Sequence, residues 1–269
     1  MSAEANPGIY GRTGTLNQRR PLFPNFGPVT DMSARGNSTY HAMQLTANKR
    51  FTHGVSVQAN YTWSKLMDDA STDGDVPNNP FNFHENRGRS NFDVPHRFVG
   101  SFIWQLPVLK DRSALMRYTL GGWETNGIIQ LQSGRWLSVT SGRDNSQTGT
   151  NQDRADLVGD PFLPTDRPHG ELVSRYFNTT AFAQNPAGTF GTAGKNILAG
   201  PGQATVDLGV NKSFVLTEAW RLQFRAEMFN LLNRVNLGNP NTNASSVQFG
   251  QITSAGTPRV IQLALRLQF

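Results

Sequence analysis

Alternation of apolar and polar side chains is the feature that most constrains the fold of this chain. From Val55 to Ser64 the odd-numbered positions carry valine, alanine, tyrosine or tryptophan, and the even-numbered positions carry serine, glutamine, asparagine or threonine. Successive side chains of a β-strand point to opposite faces, so this segment predicts a strand with one apolar and one polar face. A tilted strand of about ten residues is long enough to cross the hydrocarbon core of a bilayer.

The same alternation recurs in six further segments. In the last of them, Arg259–Phe269, one face carries Ile261, Leu263, Leu265, Leu267 and Phe269, and the other carries Gln262, Ala264, Arg266 and Gln268. The remaining segments lie near residues 40–48, 97–104, 123–132, 205–211 and 221–228. Together they predict an all-β, antiparallel fold of about seven strands, each about ten residues long.

The connections between the predicted strands alternate in length. Residues 51–54, 107–117 and 215–219 are short connections, whereas residues 67–95, 134–202 and 231–258 are long ones. Short periplasmic turns and long extracellular loops are typical of outer-membrane barrels. The alternation therefore predicts the wall of a transmembrane β-barrel over residues 38–269, with residues 1–37 as an irregular extracellular segment. It also predicts that the final strand ends at the periplasmic rim.

Aromatic side chains follow the same plan. Trp104 and Trp123 fall near the inner ends of their predicted strands, and Tyr61 and Trp63 fall near the outer end of theirs. Membrane barrels place aromatic girdles at both interfaces, where a ring meets both lipid and water. This placement predicts outer-membrane lipid as one partner of the chain.

Composition excludes several other classes of protein. The absence of cysteine excludes a disulfide framework and thiolate metal sites. The net charge of +6 is spread along the chain instead of forming a stripe or tail, so nucleic acid is not a predicted partner. The sequence has no run of about 18 apolar residues, as a membrane helix would need, and no signal peptide at its start.

Six stretches carry a family resemblance. They are GNSTYHAMQLTANKRFTHGVSVQANYTWSKLMDD (36–69), NRGRSNFDVPHRFVGSFIWQLP (86–107), GGWETNGIIQLQSGRWLSV (121–139), RYFNTTAFAQNPAGTFGTAGKNILAGPG (175–202), RLQFRAEMFNLLNRVNLGNPN (221–241) and the terminal strand. They resemble the TonB-dependent outer-membrane transporters, in particular the Oar-like branch.

That resemblance implies a barrel of about 22 strands in the bacterial outer membrane. It also implies an N-terminal plug that contacts TonB, and energised uptake of a solute that the sequence does not name. The signal peptide, the TonB box, the plug and about two-thirds of the strands have no counterpart in this sequence. We therefore expect the chain to be a C-terminal fragment of such a barrel.

The final strand has a further role by resemblance. The barrel assembly machinery is expected to read a terminal strand that ends in an aromatic residue. Strand addition supplies backbone hydrogen bonds, and alternate side chains supply specificity. Leu263, Leu265, Leu267 and Phe269 are the predicted assembly signal.

The polar faces of the strands hold the side chains predicted to face the barrel lumen. These are Gln58, Asn60, Thr62, Glu124, Asn126, Gln130, Arg221, Arg225, Glu227 and Arg266. In the whole transporter such side chains would face a plug and a permeation path. Here they are expected mainly to satisfy one another and water.

Clustered aspartates in two long loops are weak candidates for Ca²⁺ ligands. The first cluster is Asp68, Asp69, Asp73 and Asp75, and the second is Asp144, Asn145, Asp153, Asp156 and Asp160. Several oxygen ligands are what Ca²⁺ requires, although the spacing is not that of an EF-hand. The competing interpretation is that these aspartates form turns in contact with solvent.

No pattern in the sequence points to catalysis. GxSxG, HExxH and a cysteine nucleophile are all missing, and GTFGTAGKN at 188–196 has the wrong glycine spacing for a phosphate loop. We therefore predict a protein that is not an enzyme and has no cofactor, apart from possible Ca²⁺. Two alternatives to the transporter stay open: a structural or adhesive outer-membrane protein, and a soluble β-sandwich that binds carbohydrate.

Overall fold

A computed structural model describes residues 2–24, 26–32, 34–108, 111, 113–151 and 153–269. Within them the strands are β1 (Ser2–Glu4), β2 (Thr30–Met32), β3 (Ser38–Thr52), β4 (Val55–Asp68), β5 (Gly88–Arg89), β6 (His96–Gln105), β7 (Trp123–Gln132), β8 (Trp136–Leu137), β9 (Asp156–Leu157), β10 (Phe182–Ala183), β11 (Leu198–Ala199), β12 (Gln203–Val215), β13 (Arg221–Phe229) and β14 (Val260–Gln268). The α-helices are α1 (Ala114–Leu120) and α2 (His169–Ser174), and 3-10 turns cover Phe83–Asn86 and Thr179–Ala181. The predicted all-β, antiparallel class is confirmed.

One large sheet organises the chain. Its long strands lie in the order β14-β13-β12-β7-β6-β4-β3, and β5 adds a short ladder on β4. Each long strand pairs with the next long strand along the chain, and every pairing is antiparallel. All seven predicted strands are therefore present as a meander. In the described part of the chain, β3 and β14 form the two edges of this sheet.

The turn between β3 and β4 has a local cause. His53 and Gly54 connect the two strands, with φ angles of 52° and 78°. Two consecutive positive φ angles are the signature of a type I′ turn, whose twist matches that of the strands it joins. The predicted tight turn at 51–54 is confirmed, and the register of the hairpin shifts between Lys49 and Thr52, just before it.

Pairing register separates the side chains into two faces. Directly paired residues share a face. One row across the sheet reads Val57, Phe102, Gly127, Leu208, Met228 and Ile261. The neighbouring row, on the opposite face, reads Ser56, Ile103, Asn126, Gly209, Glu227 and Gln262. We call these the apolar face and the polar face, and they arise directly from the period of two in the sequence.

The connections at one end of the sheet span residues 53–54, 106–122 and 216–220. The second is longer than the predicted 107–117 and contains α1, so that prediction was wrong in length. Part of the predicted range, Leu109, Lys110 and Arg112, lies outside the described residues.

A lysine on β12 accounts for the helix in this connection. Lys212 lies in the row of the apolar face that contains Trp123, and it is buried. Its Nζ donates to the carbonyl oxygens of Thr119 at 3.2 Å and Gly121 at 2.7 Å. The last carbonyls of a helix have no partner within the helix, so the ammonium group supplies the missing donors.

The buried core lies in the long loops, at the opposite end of the sheet. These loops are residues 69–95, 133–202 and 230–259, named here the first, second and third long loops. The buried hydrophobic cluster is Val139, Ala155, Phe177, Ala181, Phe182, Ala193 and Leu198. Phe177 packs edge to face against both Phe182 and Phe249, at centroid distances of 5.7 and 5.2 Å. The second and third loops therefore form one packed layer.

The N-terminal segment, predicted to be irregular, contains a short ribbon in which β1 pairs with β2. It also contacts the second long loop: Arg19 donates to the side-chain oxygen of Gln147 at 3.1 Å, and Arg20 forms a buried ion pair with Glu4 at 3.1 Å. The described residues include no helix with the length and apolar character needed to cross a membrane.

Candidate functional site

Three long loops converge on a polar cavity of about 460 Å³, which we call the loop cavity. Its lining includes Asp75, Asn78, Asn86 and Asn91 from the first loop, Arg135, Trp136, Ser138, Arg154, Lys195 and Asn196 from the second, and Asn239 and Thr242 from the third. Ligand sites are commonly concave and about 300–1,000 Å³ in volume. The loop cavity therefore has the size of a site for a small molecule.

Buried amide side chains hold the walls of the loop cavity together. The Asn78 side chain accepts a hydrogen bond from the Arg154 backbone N–H at 2.8 Å and donates to the Gly191 carbonyl at 3.2 Å. The Asn196 amide donates to the Arg89 carbonyl at 2.6 Å and to the Asn91 side chain at 2.7 Å. Each amide joins the first loop to the second, so the relative position of the loops is fixed by specific bonds.

An ion pair anchors the second loop to the large sheet. Lys195 Nζ contacts the carboxylate of Asp68, at the end of β4, and the two side chains are only 7% and 4% exposed. A buried charge is tolerated when it is paired and hydrogen-bonded. The positive charge of Lys195 is therefore neutralised within the protein.

Arg154 is a buried cation without a carboxylate partner. The residue is 5% exposed, and no ion pair involves its guanidinium in the described part of the chain. Its Nη2 donates to the Asn86 side chain at 3.1 Å and to the Glu85 carbonyl at 3.4 Å, both neutral acceptors. Burial lowers the pKa of the guanidinium, and the nearby Glu85 charge partly opposes that shift. The group still carries its charge at neutral pH, because arginine titrates far above it.

Two further charged groups line the loop cavity. Arg135 is exposed and makes no ion pair within the described ranges. Asp75 opposes this positive charge, but one of its carboxylate oxygens accepts hydrogen bonds from the backbone N–H groups of Ser71 and Thr72. With Lys195 paired, the remaining lining charges are two guanidinium groups and one carboxylate that caps a turn.

Trp136 forms another part of the lining. The Arg89 guanidinium lies 4.0 Å from the centre of the Trp136 ring and is paired with Asp93 at 2.5 Å. Trp136 Nε1 is buried without a hydrogen-bond acceptor in the described residues. Because Arg89 is neutralised by Asp93, it leaves the charge balance of the loop cavity unchanged.

The register places every predicted lumen side chain on the polar face of the sheet. Glu227 and Asn126 share one row; Glu124 and Arg225 share the next. The others, Gln58, Asn60, Thr62, Gln130, Arg221 and Arg266, lie on the same face. A groove of about 510 Å³ on the sheet is lined in part by Gln58, Asn126 and Glu227. Whether this face is the lumen of a barrel stays a prediction.

Few of these polar-face side chains contact one another. Thr46 donates to the Asn60 side chain at 3.0 Å, Gln105 donates to Glu124 at 3.0 Å, and Arg225 pairs with Glu227. Such mutual contacts are the ones predicted for these side chains. They are cross-strand or same-strand pairs, and they are exposed.

The candidate Ca²⁺ ligands do not converge. Asp69 pairs with Arg87 at 3.3 Å, and Asp75 caps the turn at Ser71. In the second cluster, Asp144 accepts from the backbone of Gly149 at 2.9 Å and Asp153 from that of Ser146 at 2.6 Å. No group of three or more acidic, histidine or cysteine side chains in the described ranges is arranged to hold a metal ion. Ca²⁺ binding, including a role for Asp73, stays a prediction.

The predicted assembly signal lies on an edge strand. Leu263 and Leu265 are each 70% exposed, and the Phe269 ring lies 5.3 Å from the Trp220 ring, centre to centre. Leu267 is opposite Leu222 on β13. One side of β14 has no strand partner in the described structure. Strand addition requires such a free edge.

Sequence reasoning did not identify the loop cavity. Arg135, Arg154 and Lys195 are separated by up to 60 positions and follow no motif. The stretch GTFGTAGKN has the wrong glycine spacing for a phosphate loop, and in the structure its lysine, Lys195, is the partner of Asp68. A lysine in a loop rich in glycine, such as Lys195, gives no indication in the sequence of which distant residue it will contact.

The sequence matches the family model described as outer membrane beta barrel domain over residues 2–262. The match ends within β14 and does not include Leu263 to Phe269. Comparison with curated proteins and with solved structures gives no match. The family covers nearly the whole chain, and it agrees with the antiparallel meander and its two distinct faces. The chain therefore belongs to the outer membrane beta barrel domain family and is located in the bacterial outer membrane.

Proposed function

We propose that this chain is part of a TonB-dependent, Oar-like receptor for energised uptake of a solute. In this proposal the large sheet is part of the wall of a barrel of about 22 strands, and the long loops form the external entrance. TonB acts through a plug outside this sequence. The role is not enzymatic and needs no cofactor.

One observation carries the proposal: a mainly polar face extends across all seven long strands, and so does a mainly apolar face on the other side. A wall between lipid and a wide aqueous interior requires both faces at once. A β-sandwich instead packs two sheets face to face, and its surface faces are solvated. The single meander and the family both count against the soluble β-sandwich.

The experiment compares cells that carry the intact gene with cells from which it is deleted. Both grow in a defined medium with a panel of sugars, sugar acids, peptides and iron chelates, and depletion of each compound is followed by mass spectrometry. We expect at least one compound to be depleted only by cells that have the gene. A protonophore or deletion of TonB should abolish that difference. Equal depletion by both strains would contradict the uptake proposal.

An adhesive function is the second candidate, because the loop layer exposes apolar side chains. Phe162 is 61% exposed, Val158 is 63% exposed and Val247 is 97% exposed. Exposed apolar groups can mark a contact surface for another macromolecule. Slower settling of the deletion strain, with unchanged uptake, would favour adhesion over transport.

A further inference from the structure

Arg154 lines the loop cavity and keeps donors that no acceptor in the described part of the chain uses. Hydrogen bonds occupy only its Nη2, whereas Nε and Nη1 have no acceptor within the described residues. Neither atom is enclosed away from all solvent, since the one fully buried side-chain atom without a partner in the described ranges is Trp136 Nε1. Arg154 lines the loop cavity, the residue is only 5% exposed, and its guanidinium keeps two donor positions open, so it can bind an anion there.

The charge of the lining favours the same kind of ligand. Lys195 is compensated by Asp68, and Asp75 has an oxygen engaged with Ser71. Arg154 and Arg135 then have no carboxylate partner in the described part of the chain. The nearby Glu85 charge offsets the buried charge of Arg154 only in part, and a bound anion would relieve the remaining cost of burying it. Asn239 also lines the loop cavity, and its side chain makes no hydrogen bond within the described residues, so it can bind a hydroxyl group of a polar ligand.

We infer that the loop cavity binds a small polar ligand with one oxyanion group, a carboxylate or a phosphate, and that Arg154 and Arg135 recognise that group. Planar guanidinium groups suit both oxyanions, because two parallel N–H donors match two oxygen acceptors. The volume of about 460 Å³ suits a ligand of the size of one sugar acid. The inference rests on the proposed function only in taking this ligand as the transported solute.

Binding is tested on the intact protein, purified in detergent from outer membranes, by isothermal titration calorimetry. The probes are galacturonate, inorganic phosphate and galactose, the last being the uncharged counterpart of the first. We expect galacturonate, phosphate or both to bind at least tenfold more tightly than galactose. Preference for one of the two anions identifies the oxyanion. Raising the salt concentration should weaken binding, because mobile ions screen an exposed charge such as that of Arg135.

Two variants locate the site, and a third serves as the control. Arg154→Gln should weaken anion binding by about 10- to 100-fold, the range for a hydrogen bond to a charged group. Arg135→Gln should weaken it less, and it keeps the fold because Arg135 is exposed. Arg143→Gln, another exposed arginine of the second loop that lies outside the lining of the loop cavity, should leave binding unchanged.

The outcomes separate clearly. The inference is overturned if neither anion binds more tightly than galactose, or if Arg135→Gln and Arg154→Gln both bind like Arg143→Gln. Should Arg154→Gln disrupt the loops, seen as rapid proteolysis, the Arg135→Gln result decides. Anion binding without any difference in cellular uptake would refute the proposed function and leave the inference standing.

Discussion

Removing Lys195 tests whether the ion pair with Asp68 holds the loop layer on the sheet. Lys195→Met keeps most of the side-chain volume but leaves Asp68 as an unpaired, buried carboxylate. Breaking a buried ion pair by removing one partner costs about 3–5 kcal/mol. Since 1.4 kcal/mol corresponds to a factor of ten, the population in which this loop has opened should rise by roughly two to three and a half powers of ten.

The opening is measured by proteolysis of the second long loop in the intact membrane-embedded protein. Proteinase K suits this assay because its broad specificity depends little on one side chain, whereas the substitution would remove a cleavage site for trypsin and create one for thermolysin. When opening and closing are faster than cleavage, the cleavage rate reports the open population. The control is Arg35→Met. It breaks an exposed ion pair in which Arg35 Nη2 lies 3.8 Å from Asp31 Oδ2. An exposed pair contributes less than about 1 kcal/mol, so cleavage should change little.

The double variant Lys195→Met/Asp68→Asn completes a thermodynamic cycle. Replacing both members of a buried pair is often nearly neutral, so it should restore much of the protection lost in Lys195→Met. The reasoning is refuted if Lys195→Met is cleaved no faster than the control. It is also refuted if the two single substitutions simply add, because additivity would mean that the two groups do not interact.

Three other predictions address assembly, packing and the loop cavity. Deleting Phe269 from a full-length parent should reduce the yield of heat-modifiable barrel on gels, and an unchanged yield counts against the assembly role of the final strand. Phe177→Ala should destabilise the loop layer by about 3–5 kcal/mol, measured as faster hydrogen exchange in the second loop, because it removes a buried ring packed against two others; exchange at the wild-type rate would show that the cluster does not support the loop. Gly191→Ala should impair anion binding in calorimetry, because its Cβ would lie 1.8 Å from the carbonyl oxygen of Arg154; wild-type affinity would show that this close contact does not position Arg154.

Local covalent geometry explains why the strands could be predicted. Side chains alternate faces along any extended segment. The order of residues from Val55 to Ser64 therefore gives that strand one apolar and one polar face. The turn at His53-Gly54 is equally local. The ends of strands were less predictable: β4 continues to Asp68, beyond the alternating segment, because pairing with β3 and β5 extends it.

Lys212 shows where the alternation gave incomplete information. Its position in the alternation places a charged side chain on the apolar face, and the alternation alone cannot explain that placement. Its partners are carbonyls of the connection that contains α1, 91 to 94 positions away. A local pattern gives no sign of this contact, because Lys212 and the end of α1 are distant in the sequence.

The all-β class, the seven strands, their two faces and the alternation of shorter and longer connections could all be predicted from the residues. These follow from neighbouring residues, because backbone geometry and turn chemistry act over a few positions. The three-dimensional packing is needed to see that the long loops form a layer, that Lys195 meets Asp68, and that buried Arg154 has no carboxylate in ion-pair contact among the described residues. Those features join residues 68 to 127 positions apart, and a contact at such separation is fixed by packing of the whole chain and not by any local pattern.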